Sequence, residues 1–244
     1  MHHALAKEHR DFFQKHGWIE FDELISGEQL VIMKQSLEEA LSNRVGLAPA
    51  QLLSADGDLL FTHSRDLWRS NENLRKVIFS QKLGSIASEL VEKRPLRLAF
   101  DFYIPPNHLN VYPSNTHSSF TNFMLASSTL QEMSCIEGTL CALLLCLTHT
   151  PTTPSPSSPP NDPLETPDLF SKSVRGGVFF HASTQFDRRL MTLHPHSSYY
   201  LIVYAQQFSS YVERPGDPHG SFLKKQGFVY NDRLNDRFNP IIFR

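Results

Sequence analysis

Histidine is the residue type in this sequence with the widest potential for chemistry, because the chain has 12 of them and imidazole is the commonest metal ligand in proteins. His194 and His196 flank Pro195, so an extended backbone would place both rings on one face, where they could hold a metal. A turn with two exposed imidazoles explains the same pattern. Asp101 lies among apolar residues and could be a carboxylate ligand, a solvent-facing side chain or a hydrogen-bonded one.

Other catalytic signatures are absent from the sequence. It has no glycine-rich phosphate loop, no Gly-x-Ser-x-Gly elbow and no Cys-x-x-Cys pair. Cys135, Cys141 and Cys146 lack the spacing of a zinc site. We therefore expect three buried free thiols in a reducing cytosol.

Helical periodicity dominates the first part of the chain. Apolar residues at helical spacing predict helices over 5–16, 27–43 and 81–92, with a brief strand over 18–21. Ser26 and Gln29 have the spacing of a capping box at the start of the second helix.

From residue 96 the apolar period changes to two. The alternation over 96–104 predicts a strand with one buried face, and the unbroken apolar run over 140–147 predicts a strand in the centre of a sheet. Further strands are predicted at 119–126, 139–148, 175–182, 189–193, 199–206 and 227–230. The segment 150–167, rich in Pro, Ser and Thr, is predicted to be an exposed loop inserted between strands.

This order of elements predicts one domain of the α+β class over 1–244. Residues 1–95 would form a mainly helical buttress, and 96–244 would form the β core, a jelly roll or cupin-like barrel.

Charge and hydropathy narrow the choice of partners. The formal net charge is −2, and no basic run exceeds two residues, which argues against a nucleic-acid partner. The longest apolar run is too short to cross a bilayer, and charged residues stand near the N-terminus where a signal peptide would be apolar. We expect a cytoplasmic protein with a small-molecule ligand and no membrane partner.

Several segments resemble the phytanoyl-CoA dioxygenase type of non-heme Fe(II)/2-oxoglutarate-dependent oxygenases. The segments 10–21 and 24–30 resemble the opening helix, strand and capped helix of that family, and 63–69, 81–92 and 96–104 resemble its middle. The segment 137–140 resembles the turn into its central strand, and 175–181 resembles the strand that carries its last metal ligand. Among such proteins the sequence also resembles one from the chlamydial group of bacteria. The resemblance implies a double-stranded β-helix core, the fold of these oxygenases, buttressed by the N-terminal helices.

The resemblance also implies a ligand set. The family holds Fe(II) with two His and one carboxylate, which leaves sites for 2-oxoglutarate and oxygen. Its first two ligands come as His-x-Asp or His-x-Glu, its distal ligand is a His, and a later Arg or Lys binds the far carboxylate of 2-oxoglutarate.

Against this pattern the sequence departs at each step. His117 supplies the first ligand, but Ser119 stands where the acid should be. The distal position falls at Gln185 or Phe186, and His181 could serve only through a shift in register. The Arg position falls within 194–198, which includes His194 and His196, and Arg188 and Arg189 come too early.

Three hypotheses follow. The first is a divergent member that has lost the standard iron and 2-oxoglutarate chemistry and binds a small molecule or partner, or runs a different reaction. The second is an active oxygenase with atypical ligands (His117, His181 and Asp101), for which Fe(II) and 2-oxoglutarate would be the cofactors. A variant, in which chloride fills the place left by Ser119, needs the same distal ligand. The third is a metal-responsive regulatory protein.

Overall fold

The computed structural model describes residues 5–106, 127–150, 167–193, 196–214, 217 and 219–244. Helices occupy most of the described chain before residue 95. They are α1 (Lys7–His16), α2 (Gly27–Val45), α3 (Pro49–Leu52), α4 (Gly57–His63), α5 (Glu72–Ile78) and α6 (Gln81–Val91), with a 3-10 helix at Leu67–Arg69 and the strand β1 (Trp18–Phe21). The predicted helices and the predicted first strand are thereby confirmed.

Local hydrogen bonds fix the ends of these helices. Ser26 Oγ accepts from Gln29 N at 3.1 Å, and Gln29 Oε1 accepts from Ser26 N at 2.9 Å, so the predicted capping box is present. Gly17 and Gly46 end α1 and α2 in the left-handed conformation that glycine adopts most easily.

The second half of the chain is mainly strand. The elements are β2 (Leu96–Ile104), β3 (Ser127–Ser128), α7 (Leu130–Met133), β4 (Ile136–Thr148), β5 (Gly177–His181), β6 (Phe186–Asp187), a 3-10 helix (Arg188–Leu193), β7 (Ser198–Tyr211), α8 (His219–Lys225) and β8 (Ile241–Phe243). Six strands form one curled antiparallel sheet in the order β1-β5-β4-β7-β2-β8, and β3 pairs with β6. As predicted, β4 lies inside the sheet.

The large sheet is buried on both faces, which creates two hydrophobic clusters. One face packs on the N-terminal helices and includes Leu143 and Ile202. The other face lines the concave interior and includes Phe102, Leu144 and Phe180. We call these the helix face and the interior face.

The prediction of one buried face for β2 is wrong. Every residue of β2 is buried, because helices cover the side that was expected to face water. A register shift between Leu98 and Phe100 also changes the face that each residue occupies. Leu98 lies on the helix face, whereas Phe100 and Phe102 lie on the interior face.

Two further predicted strands are wrong. Residues 189–193 belong to a 3-10 helix, which starts as Asp187 Oδ1 accepts from Arg189 N at 3.1 Å. Residues 227–230 enter a turn, since Val229 N donates to Asp232 Oδ2 at 2.8 Å. The predicted strand 119–126 and nearly all of the predicted loop 150–167 lie outside the described residues.

Among the helices of the described residues, none combines the length and the apolar character that crossing a bilayer requires.

Candidate functional site

A cluster of four aromatic rings lies on the interior face, where the distal metal ligand was sought. Phe186 is 1% exposed and its ring centre lies 5.3 Å from that of Phe180 and 5.6 Å from that of Phe170. The ring centre of Phe170 in turn lies 5.2 Å from that of Tyr199. A phenyl ring has no lone pair to offer a metal, so this position contributes packing energy instead of a ligand.

The side chain of Gln185, the alternative at that position, is hydrogen-bonded to the strand β3. Its Nε2 donates to Ser127 Oγ at 2.9 Å, at the end of the pairing between β3 and β6. Gln185 therefore helps to hold the small sheet in place.

Arg188 is a buried cation that the sequence reasoning set aside as too early in the chain. It is 2% exposed, its Nη2 donates to Ser128 Oγ at 3.1 Å, and its Nη1 lies 3.2 Å from Met133 Sδ. Its guanidinium carbon lies 5.7 Å from the centre of the Phe186 ring. The signal that could have found it is its spacing of two from Phe186, which in an extended segment gives both residues one face.

Burial and a neighbouring carboxylate act on the charge of Arg188 in opposite directions. Burial lowers the pKa of Arg188 to about 10, so the group stays charged at neutral pH. The neighbouring carboxylate of Asp187 is bound by Arg189, with Nε and Nη2 at 2.8 and 2.6 Å from its two oxygens. Within 187–189 two guanidinium groups therefore share one carboxylate, and the buried one packs against the interior.

Asp101 lies on the helix face, away from the rings. It is fully buried, and its Oδ2 accepts a hydrogen bond of 2.7 Å from the Tyr200 hydroxyl. Among the described residues its Oδ1 has no hydrogen-bond partner. Burial, followed by the charge of Asp66, raises the pKa of Asp101 to about 7. Of the roles considered for Asp101, the hydrogen-bonded one is present.

His181 also lies on the helix face, at the end of β5. Its Nδ1 lies 2.6 Å from Ser183 Oγ and accepts from Ser183 N at 3.2 Å. The centre of its ring lies 6.5 Å from that of Phe13 of α1, in an edge-on arrangement. Burial lowers the pKa of His181, which favours the neutral ring.

Asp101 and His181 lie on strands that are not neighbours in the large sheet. Asp101 pairs with Ile202, Ile202 with Leu143, and Leu143 with Phe179, so three strand spacings of about 4.8 Å, together about 14 Å, separate β2 from β5 along the sheet. The ligand set of His117, His181 and Asp101 stays a prediction, since His117 lies outside the described residues.

Of the remaining predicted positions, one is described by the structure and three are not. His196 is exposed, whereas His117, Ser119 and His194 lie outside the described residues. Across the residues that the structure describes, no three His, Cys, Asp or Glu side chains lie close enough together to hold a metal ion.

The segment expected to bind 2-oxoglutarate carries hydroxyl groups where it is described. Ser197 Oγ lies 3.3 Å from His149 Nδ1, and Ser198 Oγ lies 2.7 Å from Thr148 Oγ1. These neutral groups can hydrogen-bond a carboxylate but cannot neutralise it as a guanidinium does.

The three cysteines are buried free thiols, as predicted for their packing. Burial raises the pKa of each of them, that of Cys146 to about 12. Because the thiolate is the reactive form, these thiols are suited to packing and not to nucleophilic chemistry.

Comparison with solved structures finds a similar fold in α-ketoglutarate-dependent enzymes. The α-ketoglutarate-dependent carbocyclase SnoK from nogalamycin biosynthesis matches with a TM-score of 0.62 and 15% identity, over 97% of this chain and 96% of its own. The epimerase SnoN from the same biosynthesis matches with a TM-score of 0.57 and 12% identity, over 98% of each chain. At such identities the likeness establishes the fold alone.

CT296 from Chlamydia trachomatis also matches, with a TM-score of 0.48 and 14% identity, over 84% of this chain and 99% of its own. No model of a protein family matches the sequence, and no curated protein matches it either.

Proposed function

We propose that this chain is a divergent member of the oxygenase fold that binds a small anionic molecule and does not run standard iron and 2-oxoglutarate chemistry. In this proposal the curled six-stranded sheet and the β3–β6 pair are the two sheets of a double-stranded β-helix. The interior between them is the binding region.

Phe186 is the observation that carries the proposal. The resemblance puts the distal iron ligand at 185 or 186, and there the chain has an amide bonded to Ser127 and a phenyl ring inside an aromatic cluster. A donor atom could reach the interior from this position only if the cluster were taken apart, at a cost of several kcal/mol in lost burial.

The other parts of the iron and 2-oxoglutarate site fit no better. Ser119 replaces the acid in the sequence, and Ser197 and Ser198 lie where a cation should bind the far carboxylate. The residues present therefore do not fit the metal and its co-substrate.

Arg188 supports anion binding in the same region. A guanidinium is the side chain best suited to hold a carboxylate, because its planar N–H groups match the two oxygens. Arg188 places this group against the interior rings with the Ser128 hydroxyl beside it. An anion held there would accept charge-assisted hydrogen bonds from the guanidinium.

The alternatives have less support. The atypical oxygenase has less support because Asp101 and His181 lie on the helix face and not in the interior. The regulatory protein has no observation in its favour.

The first experiment tests the loss of iron chemistry. Under anaerobic conditions the protein is mixed with Fe(II) and 2-oxoglutarate, and the visible charge-transfer band of an iron–2-oxoglutarate chelate is measured, with SnoK as the positive control. We expect no band above that of the free reagents. A stoichiometric band that His117→Ala abolishes would overturn the proposal.

The second experiment tests the anion site with calorimetry, using glutarate and 2-oxoglutarate as probes. Glutarate lacks the 2-oxo group that chelates iron, so a site built on Arg188 should bind both dicarboxylates with similar affinity and without added metal. Arg188→Met should weaken both by about tenfold or more, a loss of about 1.4 kcal/mol, while Arg214→Met, which removes an exposed arginine elsewhere in the chain, should leave them unchanged. Methionine fills much of the space of the arginine side chain, and thermal denaturation checks that both variants fold. Equal affinities in the two variants would contradict the assignment.

A further inference from the structure

A cavity on the helical side of the molecule lies apart from the interior. It has a volume of about 710 Å³ and lies between the β1–α2 loop, α2, α5 and the start of α6. This volume falls within the range of about 300–1,000 Å³ that is typical of small-molecule sites. The site is therefore large enough to enclose most of a small ligand.

One wall of the cavity is apolar. Its apolar lining residues are Leu24, Ile25, Ile32, Met33, Val77 and Leu83. Ile32 is 41% exposed although it is large and apolar. A ligand with an apolar body would remove this side chain from water, at about 25 cal/mol for each Å² that it covers.

The charged lining is positive on balance, with three cations and one carboxylate. The carboxylate, Glu23, is bound to Arg175 at 2.6 Å. Lys76 has only an exposed contact of 3.7 Å with Glu72, a type of pair that contributes little. The two lysines therefore dominate the field inside the cavity.

Lys82 is held in place by the backbone. Its Nζ donates to the carbonyl oxygen of Leu24 at 2.8 Å and to that of Glu23 at 3.4 Å. An ammonium group has three N–H donors, so these two contacts orient the group and leave one donor for a ligand. Because the contacts are to neutral carbonyls, the charge of Lys82 is not cancelled.

We propose that this cavity binds an amphipathic monoanion, a small molecule with a carboxylate on an apolar body. The carboxylate lies between Lys76 and Lys82, and the apolar body covers Ile32, the lining side chain that is exposed. The site is independent of the proposed anion site at Arg188, since it is on the opposite face of the large sheet.

The test uses decanoate and decanol, below the concentrations at which either aggregates, in calorimetric titrations of the whole protein. The two probes share one chain length and differ in the carboxylate. We expect decanoate to bind at one site and at least about tenfold more tightly than decanol. Lys82→Met should remove most of this difference and bring the affinity for decanoate close to that for decanol.

Two matched variants locate the site. Ile32→Glu places a carboxylate in the cavity and should weaken decanoate binding at least about tenfold. Val31→Glu adds the same charge to the neighbouring position of α2, which is 65% exposed and does not line the cavity, and it should have little effect. Both positions are exposed, so both variants should fold.

Equal affinity for decanoate and decanol, or equal loss in the two α2 variants, would overturn the proposal. Loss of decanoate binding in Arg188→Met with retention in Ile32→Glu would move the ligand to the interior site.

Discussion

At the scale of single residues, the buried Asp101 shows how position changes chemistry. The groups that face it are Asp66, Arg44, Arg69 and Tyr200, and Asp66 opposes its ionisation whereas the other three favour it. Burial is the largest influence, and the pKa of Asp101 rises from 3.8 to about 7. A carboxyl group that keeps its proton to such a pH is a feature of many active sites, but here its only side-chain hydrogen bond among the described residues is to Tyr200.

This raised pKa predicts a pH dependence of stability. Between about pH 4 and pH 7 the folded state holds the Asp101 proton more firmly than the unfolded state, so the free energy of unfolding should fall as pH rises through that window. Asp101→Asn should abolish this contribution and make the variant relatively more stable at about pH 8 than at about pH 5. Urea titrations across the window would measure it.

His63 and His181 have lowered pKa values and so contribute a slope of the opposite sign. They are present in both proteins, and the difference between wild type and variant therefore isolates Asp101. Parallel curves for the two proteins would contradict the prediction.

At the scale of elements, the pairing of β4 with β5 leaves no room for a side chain at Gly177. A Cβ added to Gly177 would lie 2.6 Å from the carbonyl oxygen of Leu144 and 3.1 Å from Leu143 Cδ1. Because the first of these atoms belongs to the backbone, the two strands would have to separate to relieve the contact.

Gly177→Ala should therefore lower the free energy of unfolding by about 1–3 kcal/mol, the usual cost of overpacking. Gly27→Ala is the matched control, since a Cβ there meets nothing within 4 Å. It should be neutral or stabilising by up to about 1 kcal/mol, because alanine favours a helix. Chemical denaturation of both variants would compare them, and equal effects would show that the β4–β5 pairing can yield.

At the scale of the whole molecule, one buried ion pair joins the helical part to the C-terminal part. Arg65 Nη1 lies 2.7 Å from Asp217 Oδ1, an ion-pair distance although the angle is not that of a well-aligned hydrogen bond. Asp217 Oδ2 also accepts from the backbone N–H of Cys135 at 2.8 Å. The Arg65 guanidinium packs 4.4 Å from the centre of the Phe100 ring, so the pair also touches the sheet.

Asp217→Asn should lower the free energy of unfolding by about 3–5 kcal/mol, because it leaves the Arg65 charge buried without its counter-ion. Glu213→Gln is the control: it removes an ion pair of the same length, 2.7 Å to Lys224, but both side chains there are more than half exposed. Its cost should stay below about 1 kcal/mol. Thermal denaturation would rank the two variants, and similar losses would show that burial does not set the cost of this pair.

The sequence by itself determined features that depend on neighbours along the chain. The helix over 27–43 and its cap at Ser26 follow from hydrogen bonds that span three or four residues, and the central position of β4 follows from its unbroken apolar run. The expectation that Gln185 or Phe186 stands at the distal-ligand position likewise came from the sequence and its family resemblance.

Only the tertiary structure decided which face each side chain occupies. The register shift in β2 breaks an alternation that is continuous in the sequence, and it places Phe100 on the interior face and Asp101 on the helix face. In the sequence, Arg188 precedes the position at which the family's arginine is expected. In the structure it begins the 3-10 helix after β6, and its guanidinium donates a hydrogen bond to Ser128. The period and spacing of residues describe one segment of the chain. A register shift or a long-range contact depends also on the other segments that pack against that segment. For that reason the sequence predicted most of the elements, and only the packing of the elements revealed the buried cation.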